Sequence, residues 1–298
     1  DPKEILPPIS EKSAMDQLSL GLFGEQVHQA IERNNGDLIF QMNNDIKILK
    51  SNTDNYIILK GHNDYVKDIK LINDDNMLLS ASLDKTIKVW NLQNDKCENT
   101  FDGHSDRVFA LEILDDHHFL SGSANGELFL WDIEESMGQK IDQLEGSIYC
   151  IQSFSDFIAV GCENGIAIYD KSSQKRIQTF DSNISAIKSI KAINERLFLT
   201  EDKNDRLQIW SKSALIANLI FTQEGSVIYT PESYYFGTKK AIQKNVHFSD
   251  GTNMYLFDQF DLVYNRPDII AKELGLADSG LIQILEKETL FNIHVSIN

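Results

Sequence analysis

Apolar residues in this chain alternate with polar ones in short runs, and the runs stop at turn residues. Ile87 and Val89 follow Leu83-Asp84-Lys85; Leu128 and Leu130 follow Ala124-Asn125-Gly126. A period of two broken by Asx turns predicts β-hairpins. The pattern also repeats on a larger scale. Residues 61–91 open on Gly61-His62 and close on Trp90-Asn91; residues 103–132 open on Gly103-His104 and close on Trp131-Asp132. Between those ends Val66 returns as Val108 and Leu79-Ser80 as Leu120-Ser121. The aromatic slot recurs about every forty residues, at Tyr169 and Trp210, and Ile48 fills it in an earlier, degraded copy.

A further run closes each copy: Ile57-Ile58-Leu59, Thr100-Phe101, Gln143-Leu144, Thr179-Phe180 and Ile220-Phe221. Four short strands in about forty residues predict the blade of a β-propeller. One such unit cannot bury its own apolar faces, so the copies must stack. A propeller also leaves only short edges, which keeps so much strand from aggregating. The expected class is all-β, a propeller of about six blades with seven as the alternative.

After Phe221 the pattern changes. Val227–Tyr229, Tyr234–Phe236, Val246–Phe248 and Met254–Phe257 read as four more strands, a sixth blade, with Ser249-Asp250-Gly251 as a hairpin turn. A helix is expected to start near Asp268 and end at Gly275, and residues 281–288 allow another helical turn or two. Phe291, Ile293, Val295 and Ile297 alternate as a final strand. The expected organisation is an extension over residues 1–13, a propeller over 14–260 and a small α/β appendage over 261–298.

The units resemble WD repeats, the second and third closely and the first, fourth and fifth in degenerate form. The resemblance implies a structural hydrogen-bonded network of histidine, serine, turn aspartate and tryptophan. In the second unit its members would be His62, Ser80 or Ser82, Asp84 and Trp90; in the third, His104, Ser121 or Ser123, and Trp131. Asn125 stands where the turn aspartate would be, so the third network is expected to be the weaker. The resemblance also implies a protein-binding top face, formed by Asn63, Asp64, Tyr65 and Lys85 in the second unit and Ser105, Asp106 and Arg107 in the third. Tyr and Arg are types enriched at binding hot spots.

Residues 230–276 carry the strings Phe257-Asp258-Gln259-Phe260-Asp261 and Asn265-Arg266-Pro267-Asp268. They resemble the terminal part of bacterial WD-repeat proteins that often carry a caspase-like peptidase domain. That implies a bacterial source and a link to proteolysis, with a caspase-like protease as partner or fused domain. None of Cys97, Cys150 and Cys162 sits in the sequence context of a caspase nucleophile.

Composition sharpens the functional reading. The net charge is −17, which repels phosphate backbones and anionic lipid heads and attracts basic partners. Neither nucleic acid nor membrane is expected as a partner, and no apolar run approaches the ~20 residues of a membrane helix. Three scattered cysteines fit a reducing, cytoplasmic setting. The chain opens on Asp1-Pro2-Lys3-Glu4, with no signal-peptide pattern and no Met, consistent with a fragment or processed form. Neighbouring His117 and His118 would point to opposite strand faces, a poor metal grip. No phosphate-cradling loop, nucleophile elbow or zinc-protease motif occurs, and the first strand of each unit reads as apolar. No catalytic residue, cofactor or metal is expected. The reading is a non-catalytic interaction or regulatory module that recruits, senses for or restrains a caspase-like protease. The alternatives are a general scaffold for a multi-protein complex or, further off, a propeller hydrolase with a channel site.

Overall fold

The structure, a computed structural model, describes residues 29–51, 56–181, 185–246, 248–249, 254–255 and 264–275. The N-terminal extension, the stretch expected to be helical at 281–288 and the alternating strand at 291–297 lie outside the described residues. What is described is a series of four-stranded antiparallel sheets, each in chain order. The first holds β1 (Ala30–Glu32), β2 (Leu38–Met42), β3 (Asp45–Leu49) and β4 (Tyr56–Leu59). The second holds β5 (Val66–Ile72), β6 (Met77–Ser82), β7 (Ile87–Asn91) and β8 (Lys96–Phe101). The third holds β9 (Val108–Ile113), β10 (His118–Ser123), β11 (Glu127–Asp132) and β12 (Met137–Gln143). The fourth runs through β13 (Ile148–Ser153), β14 (Phe157–Cys162), β15 (Gly165–Asp170) and β16 (Arg176–Asp181). The fifth starts with β17 (Ile187–Ala192), β18 (Leu197–Asp202), β19 (Leu207–Ser211) and β20 (Leu215–Thr222). The chain divides into two compact units, one reaching to Ser153 and including Val160–Glu163, the other holding Phe154–Ala159 and everything from Asn164.

The sequence repeat is a repeat of register. Leu78 faces Trp90, Phe119 faces Trp131, Phe198 faces Trp210, and Ile39 faces Ile48. Between third and fourth strands a bulge falls just before the aromatic slot at Val89/Trp90, Ile168/Tyr169 and Ile209/Trp210, and two residues earlier, at Leu128/Phe129, in the third sheet. An extra residue there steepens the strand twist. The turn between second and third strands needs a left-handed residue. Gly126 supplies it at φ 84°, where a Cβ would lie 2.1 Å from the Leu144 carbonyl oxygen; in the second sheet Lys85 adopts φ 73°.

The second sheet buries both faces, which is why its middle strand departs from simple alternation: every residue of β6 from Leu78 to Ser82 is buried. Ile39, Ile46, Ile48 and Leu59 of the first sheet pack with Val66, Ile69, Leu78 and Trp90 of the second. The other face of the second sheet presents Leu79, Ile87, Val89 and Phe101 to Val108, Leu111, Phe119 and Trp131 of the third. The apolar faces that no single unit can hide are therefore covered by the next.

The described residues hold five four-strand modules, roughly consistent with about six blades. The expected sixth is built differently. β21 (Gly225–Tyr229) and β22 (Tyr235–Gly237) form, but they continue the fifth sheet beyond β20, making it six-stranded. Lys239–Asn245, which the sequence reading left without an element, is a helix, α1. Its Ala241 and Ile242 pack on Val227 and Tyr235. Lys, Ala and Gln are strong helix formers, and this pair of apolar residues suffices for one buried side. β23 (Phe248–Ser249) and β24 (Met254–Tyr255) pair with each other and, among the described residues, with no other strand. Helix α2 (Pro267–Glu273) starts at proline, ends before Gly275 at φ 61°, and sets Ile270 and Leu274 against Leu197 and Ile209.

Candidate protein-interaction surface

The loops of the second and third units are held by a buried polar framework. In the second unit the Trp90 indole N–H donates to Ser80 Oγ (2.8 Å), and Ser80 Oγ meets His62 Nε2 at 2.7 Å. With its proton on Nδ1, assigned from these partners, His62 donates to Asp84 Oδ2 at 2.9 Å and accepts from Ser80. Asp84 also accepts the Asn63 N–H (2.8 Å) and both the N–H and hydroxyl of Thr86 (3.0 and 2.7 Å). Burial pushes the Asp84 carboxyl upward, but these bonds outweigh it and hold it well below the usual carboxylate range. Ser82 takes a different part: its hydroxyl donates to the Asp64 carbonyl (2.9 Å) and accepts the Asp84 N–H (3.1 Å).

The third unit repeats the inner half. Trp131 donates to Ser121 (2.7 Å), and Ser121 meets His104 Nε2 at 2.6 Å. Ser123 again serves the turn, bonding Asn125 Oδ1 and the Glu127 backbone. Where the aspartate is missing, a charge arrives from two residues further on. Glu127 Oε2 accepts the Ser105 N–H (2.9 Å) and lies 3.5 Å from His104 Nδ1, too poorly aligned for a hydrogen bond. Burial, only partly opposed by Glu127, lowers the His104 pKa to about 4. In the fifth sheet Thr200 replaces the serine and accepts from Trp210 at 3.0 Å. In the fourth, buried Val160 and Tyr169 fill the corresponding positions.

On this framework the loops take matching shapes. The Leu83 N–H donates to the Tyr65 carbonyl (2.9 Å), as Ala124 does to Arg107 (2.8 Å). Asp64 and Asp106 each accept the N–H of the next residue, at 2.7 and 2.8 Å. Lys85 Nζ reaches across to the Ser105 carbonyl (2.9 Å), tying the two loops together. Asn125 donates to the Ser105 hydroxyl (2.7 Å). The backbone is thus fixed while Asn63, Tyr65, Lys85, Ser105 and Arg107 stay exposed, and Asp64 and Asp106 half-buried. Arg107 lies over the Phe109 ring at 5.7 Å. His117 and His118 pair with Glu134 and Asp115, at 3.1 and 2.9 Å.

The WD domain, G-beta repeat model matches residues 54–91 and 95–132. These two segments are WD repeats. Over 191 residues the chain is 25% identical to Pre-mRNA-processing factor 19 homolog 2 of Arabidopsis thaliana, covering 60% of this chain and 36% of that protein. Over 126 residues it is 32% identical to Apoptotic protease-activating factor 1 of Rattus norvegicus, covering 40% of this chain and 10% of that protein. The crystal structure of the WD40 beta propeller domain of Doa1 superposes with a TM-score of 0.56 at 27% identity, covering 62% of this chain and 63% of that one. The WD-repeat chain thus spans little more than a third, or only a tenth, of these curated relatives. The repeats, the four-strand sheets and the likeness to the Doa1 domain support a WD-repeat β-propeller fold, and these relatives support a protein-interaction scaffold.

Sequence reasoning missed two features. Glu127 lies two residues past the turn position that carries the charge in the second unit, so the turn pattern does not point to it. The apolar positions of the first strands alternate with Asp68, Lys70, Glu112 and Gln152. The period of two in Val66–Ile72 and Val108–Ile113 contained that signal.

Proposed function

We propose that this WD-repeat chain is a non-catalytic recognition module that recruits, senses for or restrains a caspase-like protease, present as a partner or in the same polypeptide. The observation that carries the reading is the pair of rigid loops displaying Tyr65, Lys85 and Arg107 on a buried hydrogen-bonded frame, since preformed loops lose little entropy on binding. Two likenesses support the protease link: the strings within residues 230–276, and the similarity to a relative that is by name a protease-activating factor. Pull-down from the source cell with the wild-type chain, followed by mass spectrometry, tests it. A chain containing a peptidase domain should be captured, and Tyr65→Ala with Arg107→Glu should lose it. Absence of any peptidase domain in both the captured set and the full reading frame would refute the protease link.

A further inference from the structure

The turns that join first to second strands in three consecutive sheets meet around one cavity. They are residues 33–37, 73–76 and 114–117, and the cavity measures about 300 Å³. Tyr65 and Arg107 come just before β5 and β9, whereas the turns at 73–76 and 114–117 come just after them. The cavity therefore lies at the opposite ends of these strands from the loop surface described above.

Part of its lining is apolar. Leu71 and Ile72 at the end of β5 and Ile113 at the end of β9 border it, and Ile72 and Ile113 belong to the core between the second and third sheets. The rest is acidic, and half of that acid is already engaged. The Asp75 carboxylate accepts the Asn34 N–H (2.7 Å), and its carbonyl accepts from the Arg33 guanidinium (2.7 Å). Asp115 accepts the N–H groups of His117 and His118 (2.9 and 2.8 Å) and meets the His118 ring at 2.9 Å. These bonds hold the three turns in place. Asp74 and Asp116 also line the cavity, are exposed and, among the described residues, make no hydrogen bond or ion pair. Among the described residues no Lys or Arg lines it, and Arg33 on the adjoining turn is held by Asp37 and the Asp75 carbonyl.

We propose that this cavity receives a Lys or Arg side chain from a basic segment of a protein partner, its head paired with Asp74 and Asp116 and its stem against Leu71 and Ile113. Such side chains lay their methylenes along apolar surface and keep the charged head at a polar border. The volume equals that of about ten water molecules, room enough for one of them. The chain's net charge of −17 draws a basic segment in. The site is a second contact surface, and it does not require the partner to be a protease.

The test is an NMR titration of the isotope-labelled full chain with N-acetylated Gly/Ser nonapeptides whose central residue is Arg, Lys or citrulline, an uncharged copy of Arg. At about pH 7.5 the Arg and Lys peptides should shift the amides of residues 73–75 and 115–116 and bind about tenfold more tightly than the citrulline peptide, a gap of about 1.4 kcal/mol. Asp74→Asn with Asp116→Asn should abolish the preference; neither carboxylate holds another residue, so the fold is kept. Asp95→Asn with Asp102→Asn removes the same charge at other exposed positions and should preserve it. Tyr65→Ala with Arg107→Glu, which removes the loop surface, should also preserve it, so failure of the protease link leaves this result untouched. Equal binding of the three peptides, no shift at about 5 mM, or the same loss in both aspartate double variants would overturn the proposal. Calcium shifting these turns while the peptides do not, or self-association through them, would assign the cavity another occupant and overturn it as well.

Discussion

Replacing Ser80 by Ala removes one oxygen and strands two buried groups. Ser80 is fully buried, accepts the Trp90 indole N–H at 2.8 Å and meets His62 Nε2 at 2.7 Å. Trp90 and His62 are themselves 2% and 4% exposed, so water cannot replace the hydroxyl without opening the sheets. A buried donor or acceptor left without a partner costs about 1–3 kcal/mol. Two of them set the loss at about 4 kcal/mol, a large share of the ~5–15 kcal/mol that holds a folded protein together. With an m-value of about 3 kcal/mol/M, the urea midpoint should fall by about 1.3 M. Tryptophan fluorescence and far-UV circular dichroism would follow the transition. Ser82→Ala is the control, because the Ser82 hydroxyl bonds the Asp64 carbonyl and the Asp84 N–H at the loop and neither His62 nor Trp90. It should cost about 1 kcal/mol. If the two variants lose the same stability, or Ser80→Ala loses less than about 1 kcal/mol, the network is not what holds the loop frame.

The two histidine networks should also part company under other perturbations. Asp84→Asn replaces an acceptor of four hydrogen bonds and should cost about 2–3 kcal/mol, while Glu127→Gln, with no aligned bond to His104, should cost about 1; chemical denaturation measures both. His104 titrates near 4 when folded and near 6.5 when unfolded, so the unfolded state binds its proton first. Stability should then fall as pH drops from about 6.5 toward 4, by about 3 kcal/mol from this group, and His104→Asn should flatten that part of the profile. Gly138→Ala would set a Cβ 2.2 Å from Trp131 Cζ3, on the strand facing it, and should cost about 2 kcal/mol or more, read as a drop in melting temperature.

Much of this was legible along the chain. The forty-residue repeat, the Gly-His openings and the aromatic slot are local features, and local periodicity decides which residues become strands. The same periodicity could not choose between Ser80 and Ser82. Two residues apart on a strand, they share a face. Only the placement of His62 and Trp90 against the sheet puts Ser80 between them and leaves Ser82 at the turn. The runs at Val227–Tyr229 and Tyr234–Phe236 were likewise readable as strands, but not as a continuation of the fifth sheet. Pairing satisfies backbone groups with whichever edge lies open, and that edge is set by the fold.

Charge divides the same way. Composition alone says that the protein is acidic and that basic partners are favoured. Which group each carboxylate meets depends on neighbours distant along the chain: Glu127 comes in beside His104 of its own repeat, and Glu112 takes Lys70 of the repeat before. Alternation along one strand determines which side chains face outward from it. What they meet there is decided when successive sheets pack, because the partners come from different turns of the repeat.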